Sequence, residues 1–198
     1  KIAMKTIFKE AGLPQIPYLA TKISQVSEKI VDDSFIKNVE ESIGYPCFIK
    51  PANMGSSVGI TKANDQNQFL KGLNKASLFD KRIVIEKSVK ARELECAVLA
   101  TDTIQVSAVG EICYESDWYD FNTKYSEGSS KVIIPAPIPT TISEKIQSLS
   151  LYASQTIEVE GLARVDFFYE EATNEIWINE INTLPGFTKQ SMYPMLWE

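Results

Sequence analysis

The 198-residue chain contains no histidine. That absence excludes Ser-His-Asp and Cys-His nucleophilic catalysis and every histidine-ligated metal site, so any chemistry must rest on carboxylates, amides, lysine, arginine and backbone groups. Cysteine is scarce too: Cys47, Cys96 and Cys113 lie in apolar, strand-like runs without CxxC spacing, which predicts buried reduced thiols rather than disulfides or zinc ligands. No window approaches the roughly 18 to 20 continuous apolar residues of a membrane span. Lys1-Ile-Ala-Met-Lys5 opens a polar-faced helix rather than a signal peptide, so a cytoplasmic location without membrane contact is expected. Positive charge is in deficit, with 20 Lys and Arg against 26 Asp and Glu and a net charge of −6. This argues against a nucleic-acid surface, although acidic proteins often bind anionic nucleotides through local cations.

What is present supports a folded core, since 44% of the residues are hydrophobic. Lys1 to Ala11 reads as a helix with Ile2, Ile7, Phe8 and Ala11 on its apolar face, stopped by Gly12 and Pro14. Asp32 or Asp33 caps a second helix to about Ile43, and Asn64 or Asp65 caps a third through Phe69, Leu73 and Phe79. Tyr18-Leu-Ala20 is a short strand. Tyr45 to Lys50 and Val58 to Lys62 read as a hairpin with a Gly-Ser tip, and Arg82-Ile-Val-Ile-Glu86 as a strand. Lys87 to Arg92 is a polar hinge between two subdomains. Glu93 to Ala100 and Ile104 to Ile112 form a further hairpin around Thr101-Asp-Thr103. The polar, aromatic stretch of about 116–131 has the length of a lid. Thr141-Ile-Ser-Glu144 is a capping-box signature opening a helix to about Glu158. Local hairpins interrupted by helices make the class α+β in two lobes.

The C-terminal part carries the most informative pattern. Leu162 to Tyr169 and Glu175 to Asn182 flank a short polar connection in which Asn174 can take positive φ, a β-hairpin signature. Alternation puts Arg164, Asp166 and Phe168 on one face, and Ile176, Ile178, Glu180 and Asn182 on one face of the partner. A three-residue turn pairing Glu171 with Glu175 sets Asp166 opposite Glu180 and Arg164 opposite Asn182. Opposed carboxylates destabilise a sheet. A hard divalent cation such as Mg²⁺ would explain them, and a salt-bridged exposed face is the alternative.

Other clusters are individually weaker. Lys50 at a strand end, followed by Ser56-Ser57 between glycines, suits a phosphate clamp or an ordinary hairpin tip. Glu86 and Glu93 could bind an adenine amino group and ribose hydroxyls, or be solvated hinge residues. Lys124-Tyr125 would place a cation and a phenol on a mobile segment. The Gly186 N–H, following the metal hairpin, could form an oxyanion pair with Arg164.

Taken together, Lys50 to Gly59, Ile85-Glu-Lys87, Arg92-Glu-Leu-Glu95, Tyr119 to Tyr125, Arg164-Val-Asp166 and Asn179 to Thr188 resemble the D-alanine:D-alanine ligase family of the ATP-grasp superfamily. The resemblance spans essentially the whole chain. It implies an α+β ATP-grasp fold, two lobes with antiparallel sheets enclosing a nucleotide cleft. Residues 1–88 would form the central subdomain, with a phosphate-binding loop at 51–59. Residues 89–198 would form the C-terminal subdomain, with the lid and a metal-binding hairpin at 162–182. By that resemblance, Lys1, Lys50, Ser57 and Lys124 bind ATP phosphates, and Glu86 and Glu93 hold adenine and ribose. Lys87, Ser88, Val89, Trp118 and Phe168 complete the nucleotide set. Asp166, Glu180 and Asn182 ligate two Mg²⁺ ions, with Mn²⁺ as a possible substitute. Arg164 and Gly186 form the oxyanion hole, Ser56 and Tyr125 join loop and lid near the substrates, and Ser191 with the Met192 N–H binds the second substrate's carboxylate.

The implied reaction is phosphorylation of one D-alanine by ATP and capture of the acyl phosphate by a second D-alanine, for peptidoglycan precursor synthesis. Partners would be small molecules, with a homodimer as the full-length protein. The family's N-terminal domain precedes the position of Lys1 and further chain is expected after Glu198, so these residues alone are expected to bind nucleotide weakly without ligating. D-Ala:D-Lac or D-Ala:D-Ser ligation is one alternative, and a silent nucleotide-binding module is another.

Overall fold

A computed structural model describes residues 1–23, 31–114 and 130–198. Trp118, Lys124 and Tyr125 lie outside them, as does most of the expected lid. The chain divides into two compact units.

The first unit contains Lys1–Ile2 and Ile16–Val89. Its sheet has the order β1-β4-β2-β3, from β1 (Tyr18–Lys22), β2 (Cys47–Pro51), β3 (Thr61–Ala63) and β4 (Arg82–Lys87), every pair antiparallel. Cys47, Ile49, Ala63, Ile83 and Ile85 point to one face and pack with Ile36 and Val39 of α2 (Asp33–Ser42) and Phe69 and Leu73 of α3 (Gln66–Ser77). Both helices start where the sequence offers a carboxylate: Asp32 accepts from the Phe35 N–H at 2.7 Å and Asp65 from the Gln68 N–H at 2.8 Å. Gly44 closes α2 with φ +71°. Strand β3 begins at Thr61, not at Val58, because Ser56, Ser57 and Gly59 all have positive φ and turn the chain away from strand geometry.

The second unit contains Ala3–Gln15 and, after residue 89, the described remainder of the chain. Its sheet runs β7-β6-β5-β8-β9, from β5 (Arg92–Ala100), β6 (Ile104–Tyr114), β7 (Ser130–Ile133), β8 (Gly161–Glu170) and β9 (Glu175–Asn182). One face packs Leu94, Val165, Phe167, Tyr169, Ile176 and Ile178 against Ile142, Ile146 and Ala153 of α4 (Thr140–Thr156). Phe8 of α1 (Ile2–Glu10) and Leu13 join the same core. Along α1 the core meets Lys5 and Phe8, leaving Ile7 45% exposed despite its place on the expected apolar face. The expected capping box does not form. Helix α4 starts at Thr140 with Pro139 as N-cap and no side-chain cap bond, so Thr141 already lies inside the first turn.

Two β-bulges shape this sheet. Between β5 and β6 the register shifts after Cys96, and the Ala97 N–H donates to the Ser107 hydroxyl at 2.9 Å in place of a ladder partner. The second bulge lies on β9. The turn pairs Glu170 with Glu175, not Glu171 with Glu175, and Phe167 then faces Ile178; after the shift Asp166 faces Glu180 and Arg164 faces Asn182. Asn179 is the extra residue. Uninterrupted alternation from the buried Ile178 would have sent Glu180 into the core, so the expected sharing of one face by Ile178 and Glu180 is incorrect. The bulge turns Glu180 and Asn182 to the opposite face while Ile181 packs against the core. Asn174 has φ +57°, as the turn signature requires. Among the described residues, no helix is long and apolar enough to cross a membrane.

Candidate active site

In the first unit the candidate residues lie on the sheet face opposite the core. Tyr18, Glu86, Phe48 and Lys62 follow one another across β1, β4, β2 and β3. Lys50, two residues along from Phe48, forms an ion pair with Glu86, whose residue is only 3% exposed. Lys50 and Lys62 also stand 5.8 and 5.9 Å from the Phe48 ring centroid, within cation–π reach. Glu86 is therefore a buried sheet residue and not a solvated hinge glutamate. A buried carboxylate needs such a partner.

The loop after β2 brings backbone and cations together. Lys1 Nζ donates to the Met54 carbonyl at 3.2 Å, and the Asn53 N–H donates to Asp80 at 3.0 Å. The consecutive left-handed residues Ser56 (φ 52°) and Ser57 (φ 59°) give the loop a conformation uncommon outside glycine. A Cβ on Gly59 would come within 2.6 Å of Phe79 Cδ2 and 2.8 Å of Pro51 Cγ, so glycine is needed for space as well as for φ +75°. At the end of β4 the Lys87 N–H donates to the Pro17 carbonyl and the Ser88 N–H to the Pro46 carbonyl, at 3.0 and 3.1 Å.

In the second unit three acids stand in a row across β5, β8 and β9: Glu95 opposite Asp166, and Asp166 opposite Glu180. Arg164, two residues along β8 from this row and on the same face, is the counter-charge. Its Nε and Nη2 donate to the two Asp166 oxygens at 2.7 and 2.8 Å, and Nε lies 2.9 Å from Glu95 Oε2. Burial pulls the guanidinium pKa down, but the Asp166 bonds and charge, with Glu95 and Glu180 behind them, outweigh burial and raise it. Glu93, Phe168 and Trp177 continue this face, with Phe168 paired between Glu93 and Trp177.

Asp166, Glu180 and Asn182 present oxygen donors only, the set that suits a hard divalent cation. Among the described residues three carboxylates of this row stand beside the one guanidinium of Arg164, a balance that such a cation would suit. Among the described residues no group of three or more His, Cys, Asp or Glu side chains is gathered as a ready-made cage. The donor set is two carboxylates and an amide, with Arg164 set among them. The Asn182 side-chain oxygen Oδ1 accepts from the Leu184 N–H at 3.1 Å, which fixes the amide's orientation and leaves the second Oδ1 lone pair to another partner.

The following loop is a tight knot. Ser191 Oγ accepts from the Thr188 N–H at 3.0 Å, and the Ser191 N–H donates back to the Thr188 carbonyl at 2.9 Å. A Cβ on Gly186 would stand 2.9 Å from Ser191 Oγ, so a side chain there would push that hydroxyl out of its bond from the Thr188 N–H. Ser191 precedes the short helix α5 (Met192–Met195), and the Met192 side chain packs with Ala97, Tyr193 and Leu196.

The structure thus brings Arg164, Asp166, Phe168, Glu180 and Asn182 to one face, and Lys50 and Glu86 into contact on another. Tyr125, Lys124 and Trp118 lie outside the described residues. Sequence reasoning missed two acids. Glu95 was legible as the second acid of Arg92-Glu-Leu-Glu95, two residues from Glu93 and so on the same strand face. Glu111 is buried against Arg92, which donates to it through Nε and Nη2, both at 2.7 Å. Nothing in the sequence around Glu111 separates it from a solvated strand residue. Cys47 and Cys96 are buried and Cys113 half-buried, all three as free thiols, and burial raises their pKa values, that of Cys47 to about 11.

Residues 7–198 match the family model described as D-ala D-ala ligase C-terminus. A D-alanine–D-alanine ligase of Prochlorococcus marinus (strain MIT 9303) is 56% identical over 198 residues, covering 100% of this chain and 56% of that relative. The solved VanG D-Ala:D-Ser ligase of Enterococcus faecalis superposes with a TM-score of 0.85 at 33% identity, over 99% of this chain and 55% of that one. The D-alanine–D-alanine ligase structure from Coxiella burnetii gives 0.81 at 26% identity, over 100% of this chain and 50% of that one. The chain therefore spans just over half the length of the curated relatives it matches.

Proposed function

The chain belongs to the D-alanine–D-alanine ligase C-terminal family, with its ATP-grasp type of fold, and from that premise we propose that the protein joins two D-alanines in an ATP-dependent ligation. The observation that carries the reading is the face holding Arg164, Asp166, Glu180 and Asn182, a cation and an oxygen donor set held in register by a bulge.

The first step transfers the ATP γ-phosphoryl group to a carboxylate oxygen of one D-alanine, giving an acyl phosphate and ADP. The amine of the second D-alanine then attacks the acyl carbon, a tetrahedral oxyanion forms, inorganic phosphate leaves with the C–O bond, and the amine loses a proton. The anhydride supplies the activation that a free carboxylate lacks, so no protein nucleophile is needed and a chain without histidine suffices.

Each residue then has a task in its own unit. Lys50, Lys1 and the Ser56-Ser57 turn neutralise and orient the phosphates, and Glu86, held by Lys50, accepts from the adenine amino group. With the Ser88 N–H given to Pro46, pairing with the base edge falls to the Ser88 carbonyl and to Val89. Glu93 binds the ribose and Phe168 packs against the nucleotide. Asp166, Glu180 and Asn182 would hold one or two Mg²⁺ or Mn²⁺ ions, which when bound offset the charge of the phosphates. Arg164 and the Gly186 N–H stabilise the oxyanion, and Ser191 with the Met192 N–H orients the second carboxylate. By the family resemblance, Lys124 serves the phosphates and Tyr125 the substrates. The reading places the protein in the cytoplasm, as a homodimer in cell-wall precursor synthesis.

The 33% identity to a D-Ala:D-Ser ligase supports a second reading of the acceptor. Incubating the full-length protein with ATP, Mg²⁺ and D-alanine, alone or with D-serine or D-lactate, while following phosphate release and product mass, separates the two. D-Ala-D-Ala as the dominant product is expected; phosphate release without any dipeptide or depsipeptide would sink the ligase reading.

A further inference from the structure

We propose that Glu95 is a positioning residue for the ligation step, holding the Arg164 guanidinium in place when Asp166 turns to a divalent cation. This rests on the reading of Arg164 as an oxyanion-stabilising group. Alternation along β5 sends Leu94 and Cys96 into the core and Glu95 to the face of Arg164 and Asp166. There Glu95 is 6% exposed. Burying a carboxylate carries a desolvation cost that a purely structural position would meet more cheaply with an apolar residue.

The arrangement of the guanidinium shows what that carboxylate can do. Nε donates to Asp166 Oδ1 at 2.7 Å and lies 2.9 Å from Glu95 Oε2 as an ion pair, while Nη2 donates to Asp166 Oδ2. An Asp166 that coordinates a divalent cation gives part of its acceptor capacity to the metal, and the cation repels the guanidinium beside it. Glu95 sits on the strand on the other side of Asp166 from Glu180, within ion-pair reach of Arg164 but outside the Asp166–Glu180–Asn182 donor set. It is the anchor that Arg164 keeps when Asp166 is engaged. Partners of this kind, one shell out from the acting group, commonly change activity by about 10- to 100-fold.

The test is a double-mutant cycle on the full-length protein with Glu95→Gln, Arg164→Ala and the pair, with Glu95→Asp as the conservative variant. It is read in kinetics and also in urea unfolding without Mg²⁺ or nucleotide, where the two changes are expected to be non-additive and additive losses would overturn the proposal. Glu95→Gln is expected to lower kcat by about 10- to 100-fold with KM for ATP within about threefold, Glu95→Asp to recover part of it, and Glu95→Gln to add less than about threefold in the Arg164→Ala background. Should Glu95→Gln not fold, shown by loss of its thermal transition, Glu95→Asp carries the same cycle. An undiminished Glu95 factor in a crippled Arg164→Ala background, or unchanged kcat in a folded Glu95→Gln, overturns the proposal alone. Wild-type turnover by Arg164→Ala overturns the reading of Arg164 and the proposal with it.

Discussion

Asp166 and Glu180 stand directly opposite each other on β8 and β9, although the turn joining those strands closes one residue away from the register that this opposition requires. The bulge at Asn179 makes up the difference, and Arg164 supplies the charge that lets two acids share the face. Removing Arg164 leaves Asp166, Glu95 and Glu180 mutually repelling. Arg164→Ala is therefore expected to cost about 3 kcal/mol in the absence of ligands, read by urea unfolding, and less with millimolar Mg²⁺. Equal unfolding midpoints for the two proteins would refute the electrostatic account of this face.

Much of this was legible in the sequence, for reasons that can be named. Asn174, Gly44, Asp32 and Asp65 act through their own backbone and nearest neighbours, so local composition was enough to place the turn and the caps. The bulge at Asn179 was not legible, because it arises from the conflict between burying Ile178 and exposing Glu180 on a strand already paired to β8. The capping box failed for a related reason: Pro139 takes the N-cap two residues before Thr141, which therefore lies inside the helix. Lys50 and Glu86 were each singled out, but their contact depends on the pairing of β2 with β4 across an intervening hairpin and helix.

Asp80 gives the loop after β2 an acid-sensitive anchor. Burial raises its pKa, but hydrogen bonds from the Arg82 and Asn53 N–H groups and the charge of Arg82 outweigh it and leave the folded value depressed. A depressed carboxylate stabilises above its unfolded pKa, about 3.9, and that contribution fades as pH falls through the folded value. Asp80→Asn should thus be less stable than wild type by a constant margin above about pH 5, with the gap closing below about pH 4. Thermal midpoints that stay parallel down to pH 3 would count against it.

Gly59 combines a left-handed φ of +75° with contacts that leave no room for a methyl group. Phe79 is 44% exposed and can swing outward, whereas Pro51 is held in β2. Gly59→Ala is expected to destabilise by about 2 kcal/mol and to weaken ATP binding by calorimetry. Adding Phe79→Ala should recover only part of either loss. Full recovery would mean that Phe79 alone, and not the backbone, limits the position.

Gly110 tests whether packing beneath α5 sets the proposed site for the second amino acid. It lies on β6 opposite Glu95, and a Cβ there would meet Met192 Cε at 2.5 Å, Leu196 Cδ2 at 2.7 Å and Ile134 Cγ1 at 3.0 Å. Met192 belongs to α5 and Leu196 caps its C-terminal end, while Ser191 is the N-cap, and Tyr193 ties the same helix to the sheet through a 2.9 Å bond to the Val98 carbonyl. An added methyl group must therefore bend flexible side chains or lift the helix. Overpacking of this kind costs about 1 to 3 kcal/mol. If α5 moves, Ser191 moves with it, and Gly110→Ala should raise KM for the second D-alanine several-fold while leaving ATP affinity near wild type. Shortening Met192 removes the closest of the three clashes, so Met192→Ala in the Gly110→Ala background should bring KM back toward wild type. A KM that stays unchanged in Gly110→Ala, despite a measured loss of stability, would show that α5 absorbs the strain in its side chains and that its packing does not govern acceptor binding.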